Sequence, residues 1–135
     1  MVDAFQAEPE LARDVTFVGV WIPGINATDW ASLHETARAE TVFLAADLRE
    51  SFEAGKTQFR PQHYTHSHDG FLTRRCDAVI AMVTPPDAQG QVSLGVSVDF
   101  TLAAMAHETV PVIGLINEAM PEPVDTARFP ASRLW

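Results

Sequence analysis

Residues 77–84, Asp-Ala-Val-Ile-Ala-Met-Val-Thr, are apolar at nearly every interior position and stop at Pro85-Pro86-Asp87. A run of this length, apolar on both of its alternating faces, suits a strand covered on both sides. The prolines end it because neither carries a backbone N–H for a neighbouring strand. Outward from this run the same pattern recurs in Val15–Trp21, Thr41–Ala45 and Thr109–Ile116, with a briefer strand expected at Thr57–Phe59. Helical spacing falls between the runs. Asp29–Arg38 places Trp30, Leu33 and Ala37 on one face, with Thr28 or Asp29 as its cap. Asp47-Leu-Arg-Glu50 opens a second helix that Gly55 closes, Phe71–Arg75 suits a short helical segment after a polar stretch, and Val98–His107 aligns Phe100, Ala103, Ala104 and His107.

Apolar strands alternating with helices predict an α/β fold, a three-layer α/β/α arrangement around a mainly parallel sheet. Right-handed crossovers bring the C-terminal ends of parallel strands to one edge, where ligands of such sheets bind. The informative loops are then Ile22–Thr28, Pro85–Gly95 and Asn117–Pro121.

The chain has 135 residues, enough for one domain with a core that needs no disulfide; a single cysteine, Cys76, precludes an intrachain one. Nine basic residues against 18 acidic ones give a net charge of −9, and Lys56 is the only lysine. That balance argues against nucleic acid and anionic membranes as partners. No apolar run approaches the about 18–20 residues that span a bilayer, and the N-terminus lacks the pattern of a secretory leader. A soluble, cytoplasmic protein is expected. Residues 1–14 read as an acidic, flexible arm, residues 15–121 as the α/β domain, and residues 122–135, with Pro123 and Pro130, as an irregular tail.

The segment Thr84-Pro-Pro-Asp87-Ala-Gln-Gly90-Gln-Val-Ser93-Leu94-Gly95-Val-Ser97-Val-Asp99 is the most informative. Pro85 and Pro86 stiffen a strand exit, Gly90 and Gly95 allow close backbone approach, and Ser93 and Ser97 place hydroxyls before an expected helix start, where exposed amides suit a carboxylate, a thioester carbonyl or a phosphate. The alternative is that Pro-Pro-Asp is only a turn and Ser97 or Asp99 only a cap.

This segment, with Asn117-Glu-Ala-Met120-Pro121, Phe17-Val-Gly-Val-Trp-Ile-Pro-Gly-Ile-Asn26 and Phe43–Lys56, resembles the acetyl-CoA hydrolase/transferase family, which includes the acetate- and 4-hydroxybutyrate-type CoA-transferases. The resemblance implies part of the first domain of a CoA-transferase-like fold acting on acyl-CoA thioesters. An enzyme glutamate attacks the thioester, CoA leaves, and the acyl-glutamyl anhydride then captures CoA as a glutamyl thioester. A carboxylate acceptor finally takes the CoA, or water attacks in its place and the thioester is hydrolysed, freeing CoA. It further implies that the glutamate lies in a second domain, outside this chain. CoA or acyl-CoA enters as substrate, no cofactor is tightly bound, and a small carboxylate is the other partner, with a homo-oligomer or a second subunit completing the site. Where the family tends toward Asn-Pro-x-Met-Pro-Arg-Thr, this chain has Asn117-Glu-Ala-Met-Pro-Glu-Pro123.

The implied binding residues are Pro85, Pro86, Asp87, Gly90, Ser93, Leu94, Gly95, Ser97, Asn117, Met120 and Pro121, with Pro23, Gly24 and Asn26 in a loop near the acyl group. Glu118 is a weak candidate for an in-chain nucleophile, its alternative being a solvated loop acid. Two competing readings follow from other features. A truncated, non-catalytic relative would use its surface to bind a partner or subunit. A zinc-dependent hydrolase would use His66 and His68 in Gln62-His-Tyr-Thr-His-Ser-His-Asp-Gly70, although the spacing misses the two-metal pattern and loop histidines are the simpler account. No metal is expected. Cys76 has no motif around it and reads as an inert thiol.

Overall fold

The computed structural model describes residues 1–26 and 28–135; Ala27, within the Ile22–Thr28 loop, lies outside them. Two units divide the chain, Met1–Tyr64 and Thr65–Trp135. Each contains parallel pairing between strands separated by helical segments, so the α/β class holds. The described strands form a three-stranded parallel sheet in the first unit, and a two-stranded parallel sheet and a two-stranded antiparallel one in the second.

In the first unit, β1 (Thr16–Gly19), β2 (Arg38–Thr41) and β3 (Thr57–Phe59) lie in the order β1-β2-β3, with Gly19 opposite Thr41 and Thr41 opposite Phe59. The helix expected over Asp29–Arg38 is a single 3-10 turn, Trp30–Ser32, capped by the Asp29 carboxylate, which accepts the Ala31 N–H at 3.1 Å. Its second half is strand β2 instead. Parallel pairing with β1 and β3 claims Arg38–Thr41, and its alternation sends Ala39 and Thr41 inward. Tertiary pairing outweighs a weak local helix preference here. The strand stops at Thr41, whose hydroxyl donates to the Phe43 carbonyl at 2.9 Å and accepts the Phe43 N–H at 3.2 Å, so the chain bends at Val42 and Phe43 and the strand expected to reach Ala45 ends early.

The second expected helix forms as a 3-10 turn, Ala46–Leu48, running into α2 (Arg49–Glu53), and Gly55 leaves it with φ +71°, the left-handed stop that glycine adopts without strain. Leu48 is fully buried beside Trp21, Trp30, Ala31, Ala39 and Ala45. Residues 1–14 do not stay irregular. Val2–Ala7 forms α1 and Pro9–Ala12 a 3-10 turn. The cause is Phe5, whose ring meets those of Phe17 and Trp30 edge-on at 5.4 and 6.1 Å between centroids. A single aromatic in an acidic segment gave no periodic signal.

In the second unit, α3 (Tyr64–Thr73) spans what the sequence suggested was a polar loop followed by a short helical piece. Ser67 and Phe71, four residues apart, face inward, and Phe71 stacks on Phe100 at 5.4 Å. Strand β4 (Val79–Val83) pairs in parallel with β6 (Val112–Ile116), Val79 opposite Val112 and Val83 opposite Ile116. Val79, Ala81, Val83 and Val112 turn toward a core shared with Val92, Leu94, Ala104 and Val110. Strand β5 (Gln91–Ser93) pairs antiparallel with β7 (Arg128–Pro130), so the tail is not irregular throughout. A 3-10 turn, Ala131–Arg133, follows β7. The helix expected over Val98–His107 shrinks to α4 (Thr101–Met105), preceded by Asp99 at φ +37°. No side chain caps it.

Candidate functional site

Strands β4 and β6 run the same way in matched register, so their exits emerge side by side: the Asn117 N–H donates to the Val83 carbonyl at 2.9 Å. The chain leaving β4 passes Pro85 and Pro86, both exposed, and folds back on itself as β5. Three backbone or hydroxyl bonds close that return. The Thr84 N–H donates to the Ser93 carbonyl at 2.8 Å, the Ser93 N–H to the Thr84 hydroxyl at 3.0 Å, and the Asp87 N–H to the Gln91 carbonyl at 2.8 Å. Gly90, at φ +69°, makes the turn between them. The chain leaving β6 turns at Asn117, whose carboxamide oxygen accepts the Ala119 N–H at 3.0 Å and whose NH2 points at the Met82 sulfur at 3.3 Å.

These two turns meet at Gly95. Its φ is +55°, and a Cβ built there would lie 2.5 Å from Met120 Cγ and 2.6 Å from the Pro121 carbonyl oxygen. Pro85–Gly95 and Asn117–Pro121 thus form one rim, as the parallel topology requires. Met120 is its buried lid.

The rim divides into covered and open residues. Ser93 is fully buried; its hydroxyl accepts the Gly95 N–H at 2.9 Å and bonds the Thr126 hydroxyl at 3.1 Å. Leu94 is in the core, and Gly95 is under Met120. Gly95 is opened to a ligand only if the flexible Met120 side chain swings aside, whereas Ser93 and Leu94 are covered by the surrounding core and by Thr126. Pro85, Pro86, Gly90, Ser97, Glu118 and Pro121 are exposed, and Asn117 and Asp87 half-buried. The helix start expected to present amides beyond Ser97 is absent: α4 begins only at Thr101 and has five residues, too few for an appreciable dipole. Pro23, Gly24 and Asn26 belong to the first unit, where Asn26 closes its own loop by accepting the Ile22 N–H at 2.6 Å and donating to the Val20 carbonyl at 3.1 Å.

Asp87 is held by its own turn. One carboxylate oxygen accepts the Gln89 and Gln91 N–H groups at 2.9 and 2.8 Å, and the other meets Arg128 at 2.6 Å. The backbone N–H of Gln91 does most to hold the carboxyl below its ordinary value, with Gln89 and Arg128 adding to it. A carboxyl lowered by folding stabilises the protein above its unfolded-state value of about 3.9. That contribution disappears as pH falls through the lower folded-state value. Asp87→Asn should therefore be less stable than wild type near neutral pH, and the two should converge as acid protonates Asp87. Urea unfolding from pH 7 to pH 2 measures this; a gap that persists at the acid end would count against it.

The other half of Arg128 binds Glu122 at 2.8 Å. Arg128 did not stand out in the sequence, because it lies 41 residues from Asp87. Glu122, one of the two acids in Asn117–Pro123, thus has a partner in this chain. A separate groove of about 490 Å³ between α4 and β7 is lined by Leu102, Met105, Phe129 and Arg133 among others, none of them singled out by sequence. Arg133 is committed there to the carbonyls of Val110 and His107 at 2.7 and 3.2 Å.

His66 and His68 lie on α3, and His68 meets Asp69 at 3.4 Å. Among the described residues no three His, Cys, Asp or Glu side chains converge as a metal site would need. Cys76 is partly covered, and burial pushes its thiol up, opposed by Arg74 and reinforced by Asp77. No helix among the described residues is long and apolar enough to cross a membrane.

Parallel strands deliver two turns to one rim of an α/β domain, and comparison with known proteins identifies its family. The chain belongs to the acetyl-CoA hydrolase/transferase family: the model of that family's N-terminal domain matches residues 2–127. A succinyl-CoA:acetate/propanoyl-CoA:succinate CoA transferase of Fasciola hepatica is 32% identical over 88 residues, which are 62% of this chain and 18% of that protein. RipA from Yersinia pestis superposes with a TM-score of 0.74 at 20% identity, over 96% of this chain and 34% of that one. A 4-hydroxybutyrate CoA-transferase from Porphyromonas gingivalis gives 0.61 at 19% identity, over 97% and 36%. At those identities the solved structures establish the fold. The chain spans about a fifth of the curated relative and about a third of the structural ones.

Proposed function

We propose that this chain acts on acyl-CoA thioesters, either moving CoA to a carboxylate acceptor or releasing it by hydrolysis, and that it supplies the acyl-facing rim while the nucleophilic glutamate comes from outside these 135 residues. The observation that carries this reading is the meeting of Pro85–Gly95 and Asn117–Pro121 at Gly95. In the reaction, the glutamate carboxylate attacks the acyl carbon and the C–S bond breaks. The thiolate returns to the glutamyl carbonyl of the anhydride, releasing the acyl group as a carboxylate. The glutamyl thioester is then resolved either by an acceptor carboxylate, through a second anhydride whose acyl carbon the thiolate attacks, or by water, which frees CoA and the glutamate. The rim's part is to hold the acyl end. The Ser97 hydroxyl and the Asn117 NH2 are donors for a thioester or acceptor oxygen, and Met120 offers an apolar wall. Glu118 is exposed at the turn, and the nucleophile is not assigned to it.

Incubation with acetyl-CoA and isotopically labelled propionate tests this reading. The chain alone should form no propionyl-CoA, and a mixture with a protein carrying the second domain should form it, more slowly when Asn117→Ala replaces wild type. Turnover by the chain alone would move the nucleophile back into it. Acetyl-CoA that shifts no NMR resonance of residues 85–97 or 117–121 would end the thioester reading. A second reading, a non-catalytic subunit, draws on apolar side chains exposed in the first unit, Ile22, Ile25 and Phe43.

A further inference from the structure

Two turns that touch at one point can still hinge about it. Besides the contact at Gly95, the rim has a second tie. Arg128 opens β7, and the antiparallel ladder fixes its backbone opposite Ser93 of β5. From that base the guanidinium reaches both turns: Nη1 donates to Asp87 Oδ2 at 2.6 Å and Nη2 to Glu122 Oε1 at 2.8 Å. Asp87 belongs to the turn leaving β4, and Glu122 directly follows Pro121, whose carbonyl abuts Gly95. Exposed ion pairs usually contribute little, because two long side chains must be ordered to form them. Here the acids are only 27% and 29% exposed, and two backbone N–H groups already hold the Asp87 carboxylate in place. A planar fork can hold two carboxylates in fixed directions, which the point charge of an ammonium cannot.

We propose that Arg128 is a positioning residue for the thioester: it touches no substrate atom, but it locks the Asp87 turn to the Asn117 turn, so that the Ser97 hydroxyl and the Asn117 NH2 keep the separation at which both address one ligand. This rests on the thioester reading and adds to it the residue that sets the rim's geometry. With Gly95 as the pivot, loss of the guanidinium frees each turn to rotate away from the other. The β4–β6 and β5–β7 ladders do not use that side chain and keep their pairing.

Arg128→Ala is compared with wild type by NMR, first free and then titrated with acetyl-CoA. In the free variant the amides of Gln91 and Ala119, which bond the side chains of Asp87 and Asn117 in the two turns, should exchange several-fold faster, while β4 and β6 keep their protection. The acetyl-CoA dissociation constant, read from the resonances of residues 85–97 and 117–121, should rise at least about fivefold as the donors lose their convergence. Millimolar guanidinium chloride should restore affinity to the variant, and sodium chloride at the same ionic strength should not; a merely structural defect would respond to neither. Unchanged affinity in Arg128→Ala, with wild type binding, would overturn the proposal, as would faster exchange in one turn only. Should Arg128→Ala not fold, Arg128→Lys keeps the charge and loses the fork: weaker binding than wild type supports the proposal, and equal binding overturns it. Wild type that binds no acetyl-CoA would instead remove the thioester reading, and this proposal with it.

Discussion

Gly95→Ala is expected to lower the unfolding free energy by about 2–4 kcal/mol, through a left-handed backbone that alanine resists and through overpacking against the opposite turn. Two of the three atoms in the way belong to Met120, whose side chain can rotate; the third is the Pro121 carbonyl oxygen, which cannot retreat without moving the turn. Met120→Ala in the same background should therefore recover part of the loss and leave the rest, giving a coupling energy between the two positions. Urea unfolding of the four variants measures it. Strict additivity would mean that Met120 does not lie over Gly95.

The second large effect falls in the other unit. Leu48 is enclosed by Trp21, Trp30, Ala31, Ala39 and Ala45, a setting with a rigid indole pair and alanines too short to fill a void. Leu48→Ala should cost about 2–5 kcal/mol, at the upper end if those neighbours fail to collapse inward. Denaturant unfolding followed by tryptophan fluorescence would show it, since Trp21 and Trp30 line the cavity. A loss below about 1 kcal/mol would mean that Leu48 is less enclosed than its packing indicates.

Strands with a continuous apolar run were legible in the sequence: β4, β6 and β3 fall inside the stretches that suggested them. Elements defined by partners distant in the chain were not. Gln91-Val-Ser93 and Arg128-Phe-Pro130 carry little strand signal alone and become strands by pairing with each other. Arg38–Thr41 shows the opposite case, a segment with helical spacing that two neighbouring strands claim. The rim was legible because parallel topology fixes where strand exits go, whatever the exact helix lengths. Which of its residues would be covered was not, since Ser93 and Gly95 look the same in sequence whether they face a ligand or Thr126 and Met120. The Asp87–Arg128–Glu122 group likewise needs three dimensions to assemble.

That group has an electrostatic consequence. Arg128 spends both ends of its guanidinium on Asp87 and Glu122, and the stretch from Glu118 to Asp125 brings three acids and no cation of its own. A visitor with a neutral tip and a multiply negative tail would be turned by this field so that the tip leads and the tail stays in solvent. The repulsion reaches about 8 Å at physiological salt, far enough to sort orientations before contact.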